Sequence, residues 1–343
     1  MKKSVLALAA LGAFAGAASA QSSVTLYGRA DAAITRSTSG DNVNNGDSVW
    51  GLKDGGTGAG IGGSRWGLRG SEDLGGGLSA YFVLESGFNV DTGTNTPGDL
   101  FNRASYVGFK STTLGDVRLG RQDTLSRIFT LQVADASAQG MLSIAEAPSG
   151  APLFQVFGQR VNNSVGYITP SFGGFTAQAL VGAGEGPTSS RYQGVSAIYK
   201  GGPLVVGATY EAYDGFGDTF NKVWGLGANY NFGFATLFAA YQDTTDFGTQ
   251  TAGPSATIED HQAWNAGVMV PFGRLQFRAQ YTNADYDLVG GGSTDTQKYG
   301  VSVRYALSKR TTLYSAISER DGDNKDNFAV QREITLLGVG HTF

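Results

Sequence analysis

In KYGVSVRYAL, residues 298–307, the bulky apolar side chains fall on every second position: Tyr299, Val301, Val303, Tyr305 and Leu307 make one face, and Lys298, Gly300, Ser302, Arg304 and Ala306 the other. RLQFRAQY, residues 274–281, repeats the pattern, with Leu275, Phe277, Ala279 and Tyr281 set against Arg274, Gln276, Arg278 and Gln280. Successive side chains of a strand point to opposite faces, so each segment reads as a strand between two different surroundings. A water-soluble sandwich alternates in the same way. Here, however, Tyr and Phe gather near the strand ends, as in the aromatic girdles of a membrane barrel. Beyond the first twenty residues there is no apolar run of about 18 residues, the length a membrane-crossing helix needs. The remaining way to cross a bilayer is a closed barrel, in which neighbouring strands satisfy every backbone hydrogen bond.

The strands alternate with two kinds of connection. Short turns stand at residues 73–77, 113–116, 169–174, 200–203, 231–233, 271–273 and 307–310. A long polar stretch follows the first strand up to about Gly62, and others lie near 185–191, 214–221, 244–260, 288–295 and 321–331. Short turns on one rim and long loops on the other are expected of an outer-membrane barrel. Counting in this way predicts an all-β fold, a 16-stranded antiparallel transmembrane β-barrel with both termini on one rim. The sequence predicts one domain over residues 21–343, with no linker or composition break inside it. The balance of 52 glycines to 8 prolines fits tight turns and close-packed strands.

The first twenty residues read as a processing signal. Lys2 and Lys3 give a positive start, residues 5–14 an apolar run too short to span, and Ala18-Ser19-Ala20 a small-residue site with cleavage expected after Ala20. The chain is therefore expected to be exported. Without those two lysines, 23 basic residues stand against 29 acidic, a net charge of −6. Nucleic acid is thereby an unsuitable partner, since neutralising phosphates needs a basic excess. With no cysteine, neither disulfides nor thiolate metal sites contribute.

Residues 123–160, DTLSRIFTLQVADASAQGMLSIAEAPSGAPLFQVFGQR, break the rhythm. Compact domains rarely carry so long a connection unless it serves as a lid or binding loop. We expect it to fold inward and narrow the barrel; the alternative is a small helical excursion outside the sheet. Its acids Asp135 and Glu146 are candidates for one wall of a constriction. The opposing charges are arginines. Arg65 alternates with Trp66 and Leu68, which puts it on the wet face; on the lipid face it would cost about 2–4 kcal/mol near the midplane. Arg29, Arg69, Arg118, Arg278 and Arg304 are expected to extend a basic track along the inner wall.

Catalytic motifs do not assemble. Residues 58–63 fit GxGxxG but lack a strand-to-helix context. Asn162-Asn163-Ser164 fits a glycosylation acceptor at a strand start. The only histidines, His261 and His341, stand beside no evident serine nucleophile.

Several motifs together resemble the Gram-negative general diffusion porins, in the branch that includes anion-selective members. They are VTLYGRAD, SRWGLRGSEDLGGGLSAYFVLE, FNRASYVGF, GDVRLGRQ, NNSVGYITPSFGGF, YNFGFATLFAAYQ, LSKRTTLY and a terminal aromatic, spread over the mature chain. The resemblance implies a homotrimer whose third loop folds into the lumen. It implies constriction arginines at Arg65, Arg103 and Arg160, and a last strand ending in Phe343 that the outer-membrane assembly machinery reads. SIAEAPSGAPLFQ departs from the proline-glutamate-phenylalanine-glycine signature of the enteric members. The expected function is passive diffusion of small hydrophilic solutes and ions through a barrel set in outer-membrane lipid. Few acids face several inward arginines, which favours anions. No enzyme activity and no cofactor are expected, and no metal site is assigned. The alternatives are a substrate-specific channel and, from other classes, an adhesin or receptor barrel and an outer-membrane hydrolase.

Overall fold

A computed structural model of the chain describes residues 23–39, 44–55, 61–95, 99–137, 153–154, 159–184, 191–214, 220–245, 251–253, 256–323 and 332–343. The expected cleavage site after Ala20, and Glu146, lie outside them.

The alternating segments form one antiparallel sheet. Its strands are β1 (Ser23–Thr38), β2 (Ser48–Asp54), β3 (Arg65–Gly75), β4 (Leu78–Gly87), β5 (Ala104–Ser111) and β6 (Gly115–Asp123) before the insertion. After it come β7 (Arg160–Ile168), β8 (Phe175–Gly182), β9 (Tyr192–Gly201), β10 (Leu204–Asp214), β11 (Phe220–Asn231) and β12 (Thr236–Thr245). The chain ends with β13 (Thr251–Gly253), β14 (Ala256–Phe272), β15 (Leu275–Leu288), β16 (Ser293–Ala306), β17 (Thr311–Asp321) and β18 (Glu333–Thr342). β1 pairs with β18 from Arg29↔Thr342 to Thr38↔Glu333, which closes the barrel. Sixteen strands make the wall once β2 and β13 are set aside. β2 lies beside the C-terminal half of β1, whose N-terminal half pairs with β3. β13 is a three-residue arm folded back on β14.

Three details differ from the sequence reading; one is the stretch 244–260, expected to be loop, which holds β13 and the first residues of β14. β2 lies inside a stretch expected to be loop. Likewise, residues 288–295 read as a loop, yet β15 runs to Leu288 and β16 starts at Ser293. The start of β16 is polar on both faces and β2 offers only Trp50 and Leu52 on one face, so the period-two signal is lost while the backbone pairing continues.

Facing follows the alternation. Leu26, Val301 and Leu337 point outward, 60, 57 and 62% exposed, whereas Ala33, Ile334 and Leu336 are buried inside. Rings pack side by side on the outer face, Trp224 on Tyr241, Trp264 on Tyr281 and Tyr281 on Tyr299, with centroids 5.3, 5.1 and 6.4 Å apart. The seam is closed at the carboxyl end. Gly28 and Phe343 exchange backbone N–H···O bonds of 3.1 Å, and a Cβ at Gly28 would overlap the Phe343 ring. Glycine is what lets the last residue lie flat on β1.

The described residues of the insertion, 123–137, 153–154 and 159–160, lie on the inner side of the wall. The insertion starts with the short helix α1 (Leu125–Phe129) and widens into a π-helical turn over Thr130–Ala134. Phe129, Val133, Ala134, Leu153 and Phe154 share a cluster with the wall residues Ile198, Val223, Ile258 and Tyr286. Val223 is out of phase with Trp224, which is 44% exposed on the outer face, so the cluster is interior. Missing side chains on the wall make the seat. A Cβ at Gly207 would stand 2.7 Å from Val133 Cγ2, and one at Gly267 2.6 Å from Ala136 Cβ. A helical segment can approach that wall closely because nothing projects from it there.

Candidate functional site

β3, the residue before β5, β7 and α1 bring arginines to one chamber of about 760 Å³ beside the insertion. Arg29, Arg65, Arg69, Arg103, Arg118, Arg127 and Arg160 line it, against the carboxylates of Glu85 and Asp123. The wall supplies most of them because β1, β3 and β6 each direct alternate residues inward. Arg29 and Arg65 are registry partners across β1 and β3.

Each acid stands close to more than one polar partner. Arg103 Nε lies 2.6 Å from Glu85 Oε1, and the Tyr27 hydroxyl donates to Glu85 Oε2 at 3.1 Å. Asp123 Oδ1 is 3.2 Å from Arg127 Nε and 3.4 Å from Arg160 Nε. Arg65 has no carboxylate within ion-pair distance among the described residues. Arg69 lies over the Tyr27 ring and Arg118 over that of Tyr106, 5.1 and 5.4 Å from the centroids. Toward the short-turn rim, Asp116 accepts from the Tyr81 hydroxyl and pairs with Arg118 at 2.8 Å. For Arg127, which stands off the strands, burial lowers the pKa and Asp123 opposes that shift. So many cations beside low-dielectric walls give the chamber a positive field.

A second set of wall groups holds the insertion. The Ser126 N–H donates to Glu211 Oε1 at 2.6 Å, and the Leu125 N–H to the Tyr192 hydroxyl, which itself donates to Glu211. A π-helical turn leaves carbonyls without regular partners. Asn229 Nδ2 takes the Val133 carbonyl at 3.0 Å and Asn265 Nδ2 that of Ala134 at 2.9 Å. Arg278 donates to the Ala136 carbonyl at 2.6 Å and Arg304 to that of Ser137. His261 Nε2 lies 2.8 Å from the Leu153 carbonyl.

Of the residues singled out in the sequence, Arg65, Arg103, Arg160, Arg29, Arg69 and Arg118 meet in the chamber. Arg278 and Arg304 are elsewhere, bonded to the insertion backbone. Asp135 is 3% exposed, is not among the chamber's lining residues, and accepts the Ser137 N–H at 2.7 Å on the Arg278 side. The sequence reading missed Arg127 and Glu85. The Asp123–Arg127 spacing is a helical i, i+4 pair, and Glu85 alternates with the apolar Phe82 and Leu84; both signals were present. Among the described residues no cluster of three or more His, Asp or Glu side chains is arranged to hold a metal ion.

The chain matches the Gram-negative porin family over residues 7–325. It is 35% identical to outer membrane porin protein 32 of Delftia acidovorans, covering 98% of this chain and 95% of that one. An outer membrane porin protein of Bordetella pertussis is 31% identical over 99% of both chains. Among solved structures, the anion-selective porin from Comamonas acidovorans superposes with a TM-score of 0.72 at 29% identity, covering 94% of this chain and all of that one.

Proposed function

The chain belongs to the Gram-negative porin family of the outer membrane, and we propose that its channel passes small hydrophilic solutes and prefers anions. The observation that carries this reading is the chamber, in which seven arginines face two carboxylates next to the inserted segment. An anion entering it exchanges hydration for guanidinium contacts, while a cation meets like charge in a low-dielectric surround. The anion selectivity named for the Comamonas acidovorans relative points the same way.

In this reading Arg65, Arg103 and Arg160 set the constriction, and Arg29, Arg69 and Arg118 lead ions to and from it. Arg278 and Arg304 keep the insertion against the far wall. The outward apolar belt meets lipid, three copies assemble, and Phe343 closes the seam after export. No cofactor and no catalytic step are assigned.

Ion substitution in planar bilayers tests the reading. Replacing K⁺ by Li⁺ should leave single-channel conductance almost unchanged, whereas replacing Cl⁻ by a bulkier anion such as acetate should lower it. Dependence on the cation alone would overturn anion preference. Conductance steps grouped in threes are expected of the trimer, and single steps only would contradict it.

A further inference from the structure

Asp123 stands where the insertion leaves the wall. It ends β6, pairs in register with Arg160 at the start of β7, and the next residue's N–H donates to the Gln159 carbonyl at 3.2 Å. Both strands of the neck therefore meet at this carboxylate. One of its oxygens stands within ion-pair distance of two guanidiniums, that of Arg127 on the insertion and that of Arg160 on the wall. The two arginine side chains are 8 and 12% exposed, while the Asp123 side chain is 37% exposed.

That difference in exposure has an electrostatic result. The two cations are sunk into the neck, and the group between them that faces the chamber is negative. From the lumen the triad presents a net single positive charge with its carboxylate foremost. Without the carboxylate, two buried guanidiniums would face each other across the neck, and the start of α1 would lose its tie to β7.

We propose that Asp123 is a positioning and specificity-determining residue: it clamps Arg127 to Arg160 and trims the positive field of the constriction, so that anion preference is held below what the arginines alone would give. The proposal rests on the anion-preferring reading above. Glu85 does not play the same part, since its hydrogen-bond partners Arg103 and Tyr27 both lie outside the insertion.

The test is the anion-to-cation permeability ratio, from reversal potentials in planar bilayers, of the native-length protein and its variants. Asp123→Asn should raise the ratio by about twofold to threefold, the effect of one partly screened charge at contact range. Arg127→Gln should lower it. The double variant restores the charge balance of the triad and should return near the wild-type ratio, and Asp123→Glu should behave as wild type. A defect of folding alone would reduce the number of channels without moving the ratio. An Asp123→Asn ratio equal to or below wild type would overturn the proposal. If Asp123→Asn yields no channels, a double variant that conducts at a ratio clearly different from wild type overturns it instead. Because each ratio is read relative to wild type, a wild-type pore that prefers cations would contradict the parent reading alone.

Discussion

The Ser126 N–H at the head of α1 donates to Glu211, a side chain buried completely in the inner wall of β10. The inserted segment is thereby fixed at its first turn by a group 85 residues away in the chain. Glu211→Ala leaves the Ser126 N–H and the Tyr192 hydroxyl without their acceptor. Each buried group so orphaned costs about 1–3 kcal/mol. Lower thermal stability of the detergent-solubilised protein and greater open-channel current noise are expected. A variant as quiet and as stable as wild type would show that the anchor is dispensable.

The glycine seat gives a second prediction. Gly207→Val places a side chain where Val133 now lies, and overpacking of this kind costs about 1–3 kcal/mol. The insertion is expected to move toward the chamber and single-channel conductance to fall. Unchanged conductance would mean that the segment does not rest on β10.

Among the arginines, position decides the outcome. Arg65→Gln, Arg103→Gln and Arg160→Gln should each reduce the anion-to-cation permeability ratio by about twofold to threefold. Arg278→Gln and Arg304→Gln should shift it less and add noise, because those guanidiniums bond to the Ala136 and Ser137 carbonyls. Equal shifts at all five positions would place the constriction lower in the lumen.

At the seam, Gly28→Val forces the Phe343 ring off β1. The fraction of protein that migrates as folded barrel on semi-native gels should drop, and Phe343→Ala should drop it through loss of the same packing. Full folding of Gly28→Val would indicate that the ring has another seat.

The barrel was readable because alternation is a local property: Val301 and Ser302 declare their sides by neighbours alone. Arg65 was placed inward by the same rule, through Trp66 and Leu68. Alternation is silent where a strand has no apolar face, which is why the start of β16 reads as loop, and in β2 the only apolar residues sharing a face are Trp50 and Leu52, too short a run to register. It is silent too in the insertion, where the contacts that matter are long-range. Nothing near Asp135 in sequence announces that it lies beside Arg278 and not across from Arg65. Arg127 went unassigned because α1 is a single short turn, so the one i, i+4 pairing with Asp123 comes with no helical periodicity around it. The role of Glu211 depends on a partner in another element, which no window along the chain contains.

The most direct test of the central claim is the zero-current potential of the purified native protein across a KCl gradient in a planar bilayer. An excess of lumen arginines over carboxylates predicts the sign that Cl⁻ current gives. A potential of the opposite sign, with K⁺ carrying most of the current, would contradict it.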